Sequence, residues 1–188
     1  MKEHLPKLPP CFVDPLTGYA PTNEVQMSGL LGFLHQMGRV KWANVPLLLP
    51  SNESSGQMAG QLFARTIMCG EYQLFWSSQQ EMRLWGSMPA DLMCFSESDQ
   101  RVVIIENKVG SGFTGVQNDP AVGQLAKQVD FLLNCKVPNR ALVLLSTAEL
   151  FNRGWYCNEL LNTLRHDERG KKVSSFLMRW EDVLLAVD

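Results

Sequence analysis

The chain has 188 residues, of which 45% are apolar and 19% charged, a balance typical of one globular domain with a sizeable core. Its formal net charge is -2, so it lacks the overall basic character that favours nucleic-acid binding, although a local groove can be basic on a near-neutral protein. The N-terminus has no apolar signal core and no apolar run approaches ~18 residues, so we expect neither secretion nor membrane spanning.

The cysteines indicate a reducing environment. They are odd in number, they form no CxxC motif, and no Cys/His pair has zinc-binding spacing. We therefore expect free thiols and a cytoplasmic protein. The five cysteines stand at positions 11, 69, 94, 135 and 157.

The N-terminal half begins with a Pro-rich segment over 1–20, which we expect to wrap the surface of a single domain spanning 1–188. A helix is predicted over 22–38, with Asn23 as its N-cap, Gln26 three residues later and Gly38 as its C-terminal stop. A second helix is predicted over 55–68, despite Gly60 within it. The apolar stripe of the first helix consists of Met27, Leu30, Leu31, Leu34 and Met37.

The remaining elements alternate between strands and helices. Apolar runs predict strands over 72–76, 90–96, 101–107, 140–147 and 173–180, and helices over 120–134, 155–167 and from 181 onward. This order predicts an α/β fold with a mixed central β-sheet flanked by helices. The last helix has only about two turns before Asp188, so we expect the natural chain to continue past residue 188.

The polar segment SESDQR separates two strands of a predicted hairpin. A two-residue turn centred on Ser98 and Asp99 would make the numbers of paired residues sum to 197, which places Asp91 opposite Glu106 on one face. Lys108 shares that face because it lies two residues beyond Glu106. A slip of one residue would move Asp91 to the other face.

Two facing carboxylates repel each other, and a divalent cation would give them a reason to sit together. Oxygen ligands suit Mg²⁺ or Mn²⁺, and a lysine on the same face could hold the attacking water or the scissile phosphate. The alternative is a strand that ends in charged residues at the solvent, with Glu106 and Lys108 forming a weak surface pair. The tripeptide Glu-Asn-Lys at 106–108 alone does not distinguish a metal site from a surface ion pair. Its position across a hairpin from Asp91 favours the metal site.

The sequence PAD at 89–91, followed by VVIIENKVGSG, resembles the motif of the PD-(D/E)XK nuclease superfamily, which has the restriction-endonuclease-like fold. The resemblance covers the order of elements over roughly 20–185, and its specific part runs from Pro89 to Gln128. It implies a Mg²⁺- or Mn²⁺-dependent deoxyribonuclease. Asp91, Glu106 and the Asn107 carbonyl would then bind metal, and Lys108 would be the catalytic lysine. One departure is that Ala90 separates the proline from the aspartate.

Three further residues have a place in this resemblance. Glu24 resembles the superfamily's acidic residue on the first core helix, and its spacing from Met27 directs it along the core-facing stripe. The alternative is that Glu24 only favours the positive end of its helix. Gln124 resembles a glutamine that many relatives carry near the site, and Gln128 stands where a tyrosine is often seen. The alternative for both is a solvated helix face.

The resemblance favours DNA as the substrate, in restriction, phage defence, repair or mobile-element processing. Two other hypotheses remain: a nuclease-like fold that binds nucleic acid or protein without turnover, and an α/β domain with an accidental motif. A homodimer, an additional domain and a partner protein are left open. The five tryptophans could include a base-stacking platform or could anchor cores, and Trp85 lies closest to the motif.

Overall fold

The computed structural model describes residues 21–70, 82–84, 88–110, 113, 123–165 and 170–188. The segment 1–20, the predicted strand over 72–76 and Trp85 lie outside this part of the chain, so those three expectations stay predictions. The described helices are α1 (Glu24–Gln36), α2 (Gly60–Phe63), α3 (Gln124–Asn134), α4 (Ala148–Asn152), α5 (Trp155–Arg165) and α6 (Trp180–Leu185), with short 3-10 helices at Trp42–Asn44 and Gly170–Lys172. The strands are β1 (Pro46–Leu48), β2 (Ser54–Met58), β3 (Ile67–Gly70), β4 (Met82–Leu84), β5 (Met88–Ala90), β6 (Leu92–Ser96), β7 (Arg101–Lys108), β8 (Asn139–Ser146) and β9 (Ser174–Arg179).

The described strands form one seven-stranded mixed sheet, in the order β2-β1-β9-β8-β7-β6-β3, and a separate pair of β4 with β5. The strands β7, β8 and β9 are parallel, whereas the strands on either side of them pair in the antiparallel sense. Lys108 is in register with Ser146, which is in register with Arg179, so the three parallel strands end at one edge of the sheet. The fold is therefore α/β with a mixed central sheet, as predicted.

Helices cover both faces of this sheet. Residues of α1 and α6 pack on one face against Val103 and Ile105 of β7. Residues of α3 and α5 pack on the other face against Ile104. Because side chains alternate along a strand, the polar residues at the end of β7 are divided between the same two faces.

The hairpin of β6 and β7 has the predicted register. Met93 pairs with Ile104 and Phe95 with Val102, so paired numbers sum to 197. The connection is a four-residue turn over 97–100 rather than a two-residue turn. The register is the same because both turns share one midpoint.

The first helix confirms most of its prediction. The Asn23 side chain caps α1 by accepting a hydrogen bond from the Gln26 amide at 2.9 Å, and Gly38 adopts a φ of +68° just after the helix. Met37 is the exception in the apolar stripe: it lies beyond the last turn of α1 and is 52% exposed. The other four stripe residues are buried.

The predicted helix over 55–68 is wrong. The segment contains most of β2, the single turn of α2 and the start of β3. Gly56 has a φ of +72°, which a helix does not allow. A Cβ on Gly60 would lie 3.2 Å from the Ala43 backbone, so this glycine lets α2 pack closely against the preceding 3-10 helix. The backbone geometry of Gly56 and the close packing of Gly60 therefore outweighed the helix-like spacing of apolar residues in this segment.

Two smaller expectations concern the thiols and the membrane. Cys135 and Cys157 are free thiols, as expected. Within the described ranges, none of the helices combines the length and apolar character needed to cross a bilayer.

Candidate active site

The end of β7 places a carboxylate and an ammonium group on the face covered by α3 and α5. Glu106 is fully buried and Lys108 is 6% exposed. The Lys108 Nζ lies 2.6 Å from the Glu106 Oε1. This burial excludes the alternative that Glu106 and Lys108 form a weak pair at the solvent.

Two more carboxylates join this pair, each held by a backbone amide beside Lys108. The Asn107 amide donates to the Asp91 Oδ2 at 2.7 Å, and the Val109 amide donates to the Glu24 Oε2 at 3.0 Å. The other Glu24 oxygen lies 3.6 Å from the Lys108 Nζ. The chain thus brings together the three acids and the lysine proposed from the sequence, with Asp91 delivered by the bend between β5 and β6. We call Glu24, Asp91, Glu106 and Lys108 the acidic cluster.

The acidic cluster contains three carboxyl groups and one amine. Burial raises the pKa of Asp91 well above its usual value, and the neighbouring Glu106 raises it further. Burial also raises the pKa of Glu106, although Lys108 and Gln128 oppose the shift. For Lys108 burial acts to lower the pKa, but Glu106, Asp91 and Glu24 outweigh it, so the pKa rises. Lys108 is therefore an ammonium group at neutral pH, and the acidic cluster has three carboxyl groups for this one ammonium group.

The two glutamines of α3 are buried rather than on a solvated face. The Gln128 Nε2 donates to the Glu106 Oε2 at 2.6 Å, and Gln128 is fully buried. Gln124 is 6% exposed, and its Oε1 accepts no hydrogen bond from the described part of the chain. The solvated-face alternative is therefore wrong for both, and Gln128 has a direct contact with Glu106.

The Asn107 side chain projects to the opposite face of β7, where it joins three elements. Its Nδ2 donates to the Glu24 carbonyl and to the Ser28 Oγ, both at 2.9 Å. Its Oδ1 accepts from the Trp180 Nε1 at 2.8 Å. Sequence reasoning assigned only the backbone carbonyl of Asn107 to the site and missed Ser28 and Trp180. The one signal in the sequence for such a contact was Ser28, a serine one turn after Glu24, and this serine is buried in the fold.

Phe113 adjoins Lys108 and contacts two further aromatic residues, and the sequence singled out none of the three as a site residue. The Lys108 Nζ lies 5.5 Å from the centroid of the Phe113 ring, which contacts both Trp155 and Tyr156. Burial raises the pKa of Tyr156, and the negative charge of Glu24 adds to the shift. The Tyr156 phenol is therefore neutral over the physiological pH range.

The donor set fits a hard divalent cation. Carboxylate oxygens are the ligands that Mg²⁺ and Mn²⁺ prefer, and the acidic cluster supplies three carboxyl groups. As the side chains lie, no group of three or more acidic, histidine or cysteine residues in the described ranges is arranged to hold a metal ion. In this arrangement the Lys108 ammonium group interacts with the oxygens of Glu106 and Glu24.

Comparison of the chain with known proteins does not identify a family or a function. No protein-family model, no curated protein and no solved structure matches the chain. The function of the acidic cluster must therefore be argued from its own geometry and charge.

Proposed function

We propose that the chain is a Mg²⁺- or Mn²⁺-dependent nuclease that hydrolyses phosphodiester bonds, with DNA as its substrate. The observation that carries this proposal is the charge of the acidic cluster, in which three carboxylates face one ammonium group in a largely buried site. The order of motif residues along the chain supports the same assignment, because it resembles the PD-(D/E)XK pattern.

Stability alone does not explain this cluster. Burying an ion costs several kcal/mol before any pairing, and even a matched buried pair is often no more stabilising than apolar residues of similar volume. Within the acidic cluster the single ammonium group of Lys108 is shared by Glu106 and Glu24, and Asp91 lies beside them. Strongly perturbed carboxylates in one place are typical of sites that bind a cation or move protons.

The resemblance assigns a role to each of these residues. Asp91, Glu106 and the Asn107 carbonyl would hold the metal, with Glu24 adding negative charge nearby. When bound, the cation would polarise the scissile phosphate and lower the pKa of a coordinated water. Lys108 is protonated, so it acts as a hydrogen-bond donor that orients the water or a phosphate oxygen, and not as a general base.

The site also needs its ligands held in place. Gln128 fixes one oxygen of Glu106, and the amides of Asn107 and Val109 fix Asp91 and Glu24. Outer contacts of this kind commonly change metal affinity or activity by about 10- to 100-fold when they are removed. The site is therefore supported by main-chain groups of β7 and its extension, and not only by side chains.

The test is cleavage of linear and circular DNA in Mg²⁺ and in Mn²⁺, with RNA of the same sequence in parallel. The variants are Glu106→Gln and Lys108→Met, and the matched control is Lys136→Met. Lys136 is exposed and precedes β8, so it lies at the opposite end of the parallel strands from Lys108. We expect metal-dependent cleavage by the wild type and the control, and none by the two site variants.

Calorimetry with each metal alone separates the remaining hypotheses. Binding of Mg²⁺ or Mn²⁺ that is lost in Glu106→Gln supports the site even where the chosen DNA is not cut. DNA binding without cleavage or metal binding would instead favour the module without turnover. Absence of both metal binding and cleavage in the wild type would contradict the proposal.

A further inference from the structure

An exposed tryptophan begins α5. Gly154 has a φ of +81°, which ends α4 and allows α5 to begin at the next residue. That residue is Trp155, whose side chain is 46% exposed although it is large and apolar. A single exposed apolar residue is common on protein surfaces, so the exposure of Trp155 alone does not indicate a binding site.

Ring contacts connect this tryptophan to the acidic cluster. The Lys108 Nζ is 5.5 Å from the Phe113 centroid, and the Phe113 centroid is 5.5 Å from that of Trp155. The indole of Trp155 is therefore no more than about 11 Å from the Nζ, a distance that about three stacked nucleotides cover.

The neighbouring rings hold the indole without stacking on it. The Tyr156 ring meets Trp155 edge-on at 74°, and the Phe113 ring is tilted by 53°. Neither ring lies parallel to the indole plane, so neither contact is a face-to-face stack, and 46% of Trp155 is open to solvent. A phenol and a phenyl ring in these positions limit the rotation of Trp155, which lowers the entropic cost of stacking.

We infer that Trp155 stacks on an unpaired nucleobase of the substrate strand and so positions that strand at the acidic cluster. This inference rests on the proposed function, because it assumes a nucleic-acid substrate. An aromatic side chain stacks on any base, so the contact is independent of sequence. It requires a base with a free face, which single strands and frayed duplex ends provide and an intact duplex interior does not. The substrate is accordingly a strand with an unpaired segment at the site.

The first test is binding of a short single-stranded oligothymidylate and of a blunt hairpin duplex, measured in EDTA and in Ca²⁺ by fluorescence anisotropy. Variants are Trp155→Ala, Trp155→Phe and the control Met37→Ala. Met37 is also an exposed apolar residue, but it lies at the other end of α1 from Glu24. We expect Trp155→Ala to weaken single-strand binding by roughly 5- to 150-fold, Trp155→Phe to recover most of the affinity, and the control to have no effect.

A second readout reports stacking directly. An oligonucleotide carrying 2-aminopurine at successive positions should show quenching at one position with the wild type and with Trp155→Phe, and no position-specific quenching with Trp155→Ala. In cleavage assays Trp155→Ala should raise KM for single strands more than it lowers kcat.

The outcomes separate this inference from the proposed function. Cleavage by the wild type with equal single-strand affinity in Trp155→Ala would overturn the stacking role and leave the nuclease intact. Position-specific quenching without cleavage in any metal would support stacking and count against the nuclease. No binding of either oligonucleotide by the wild type would overturn the stacking role.

Discussion

Glu106 and Asn107 are neighbours in β7, both are fully buried, and they project to opposite faces of the sheet. Asn107 is neutral, and its amide makes three hydrogen bonds to α1 and α6. Glu106 is a carboxylate that shares its surroundings with Asp91 and Lys108, and its pKa is raised by burial. One residue along the strand therefore separates a neutral amide that makes three hydrogen bonds from an ionisable cluster of three acids and one lysine.

The comparison shows how one strand can serve two purposes. A buried amide with all its hydrogen bonds made costs little and fixes the packing of neighbouring elements. A buried carboxylate with an excess of like charge is unfavourable unless something else neutralises it. The Asn107 side chain therefore holds α1 and α6 in place, and Glu106 is the residue from which function is expected.

Lys108→Met should have the largest effect, because it removes the ammonium group that opposes three carboxylates. Breaking a buried ion pair by removing one partner typically costs about 3–5 kcal/mol. The pKa values of Asp91 and Glu106 already lie above their usual range, and loss of Lys108 raises them further. Groups with raised pKa stabilise the fold fully below the usual carboxyl pKa, and this contribution is lost as pH rises through the folded-state values. Urea unfolding should thus show a larger loss at pH 8 than at pH 5.

The control for this substitution is Lys136→Met, which removes an exposed lysine and should leave the unfolding free energy nearly unchanged at both pH values. A loss in Lys108→Met that is small or independent of pH would show that the carboxylates do not carry the charge inferred for them.

Asn107→Leu tests the neutral side of the comparison. The change keeps the approximate volume but removes the acceptor of the Trp180 Nε1 and the donor to Ser28 and the Glu24 carbonyl. Buried groups that lose their partners cost about 1–3 kcal/mol each, so we expect a loss of about 2–4 kcal/mol that does not vary with pH. Urea unfolding of this variant beside Asn134→Leu, a change at an exposed site, measures it. A pH-dependent loss would mean that Asn107 belongs electrostatically to the acidic cluster.

Gln124→Leu and Gln128→Leu form a matched pair on α3. Gln128 donates to Glu106, and a hydrogen bond to a charged group is worth about 1.5–3 kcal/mol, whereas the Gln124 Oε1 accepts none in the described ranges. We expect Gln128→Leu to be the more destabilising of the two by about 1.5 kcal/mol. The Gln128 hydrogen bond lowers the pKa of Glu106, so its loss should move the acid limb of the cleavage profile to higher pH. Equal effects of the two changes would contradict a specific role for Gln128.

The parts of the site that were predictable from sequence depend on short-range rules. The pairing of β6 with β7 followed from alternation of apolar residues around a polar turn, and the two-residue spacing of Glu106 and Lys108 placed them on one face. The Asn23 cap followed from local hydrogen bonding. Neither depends on how distant elements pack.

The remaining parts depend on contacts between distant elements. Trp180 lies 73 residues from Asn107, and only the order of the parallel strands brings them together. Trp155 reaches the acidic cluster through Phe113, a contact that no periodicity predicts. The wrong prediction of a helix over 55–68 has the same origin. Gly60 is needed because the backbone of Ala43, outside this segment, packs closely against it.

Asp91→Asn should give the smallest change, and one of opposite sign. The asparagine oxygen can still accept from the Asn107 amide, but one of the three carboxylates of the cluster is gone. Burial and Glu106 raise the pKa of Asp91, so its ionisation opposes folding at neutral pH and has no such cost below about pH 4, where the unfolded chain is also protonated. We expect a gain of about 1 kcal/mol at pH 8, little change at pH 4, and loss of cleavage.

Thermal unfolding across this pH range, beside the exposed change Glu149→Gln, measures the gain. Added Mg²⁺ should sharpen the comparison, because an ion that binds only the folded protein raises its stability by an amount that grows with the logarithm of the ion concentration above Kd. Mg²⁺ should then stabilise the wild type more than Asp91→Asn and reduce the difference between them. A variant that is less stable than the wild type at pH 8 without metal would show that Asp91 holds the hairpin in place as a carboxylate, and that its charge is already neutralised within the fold.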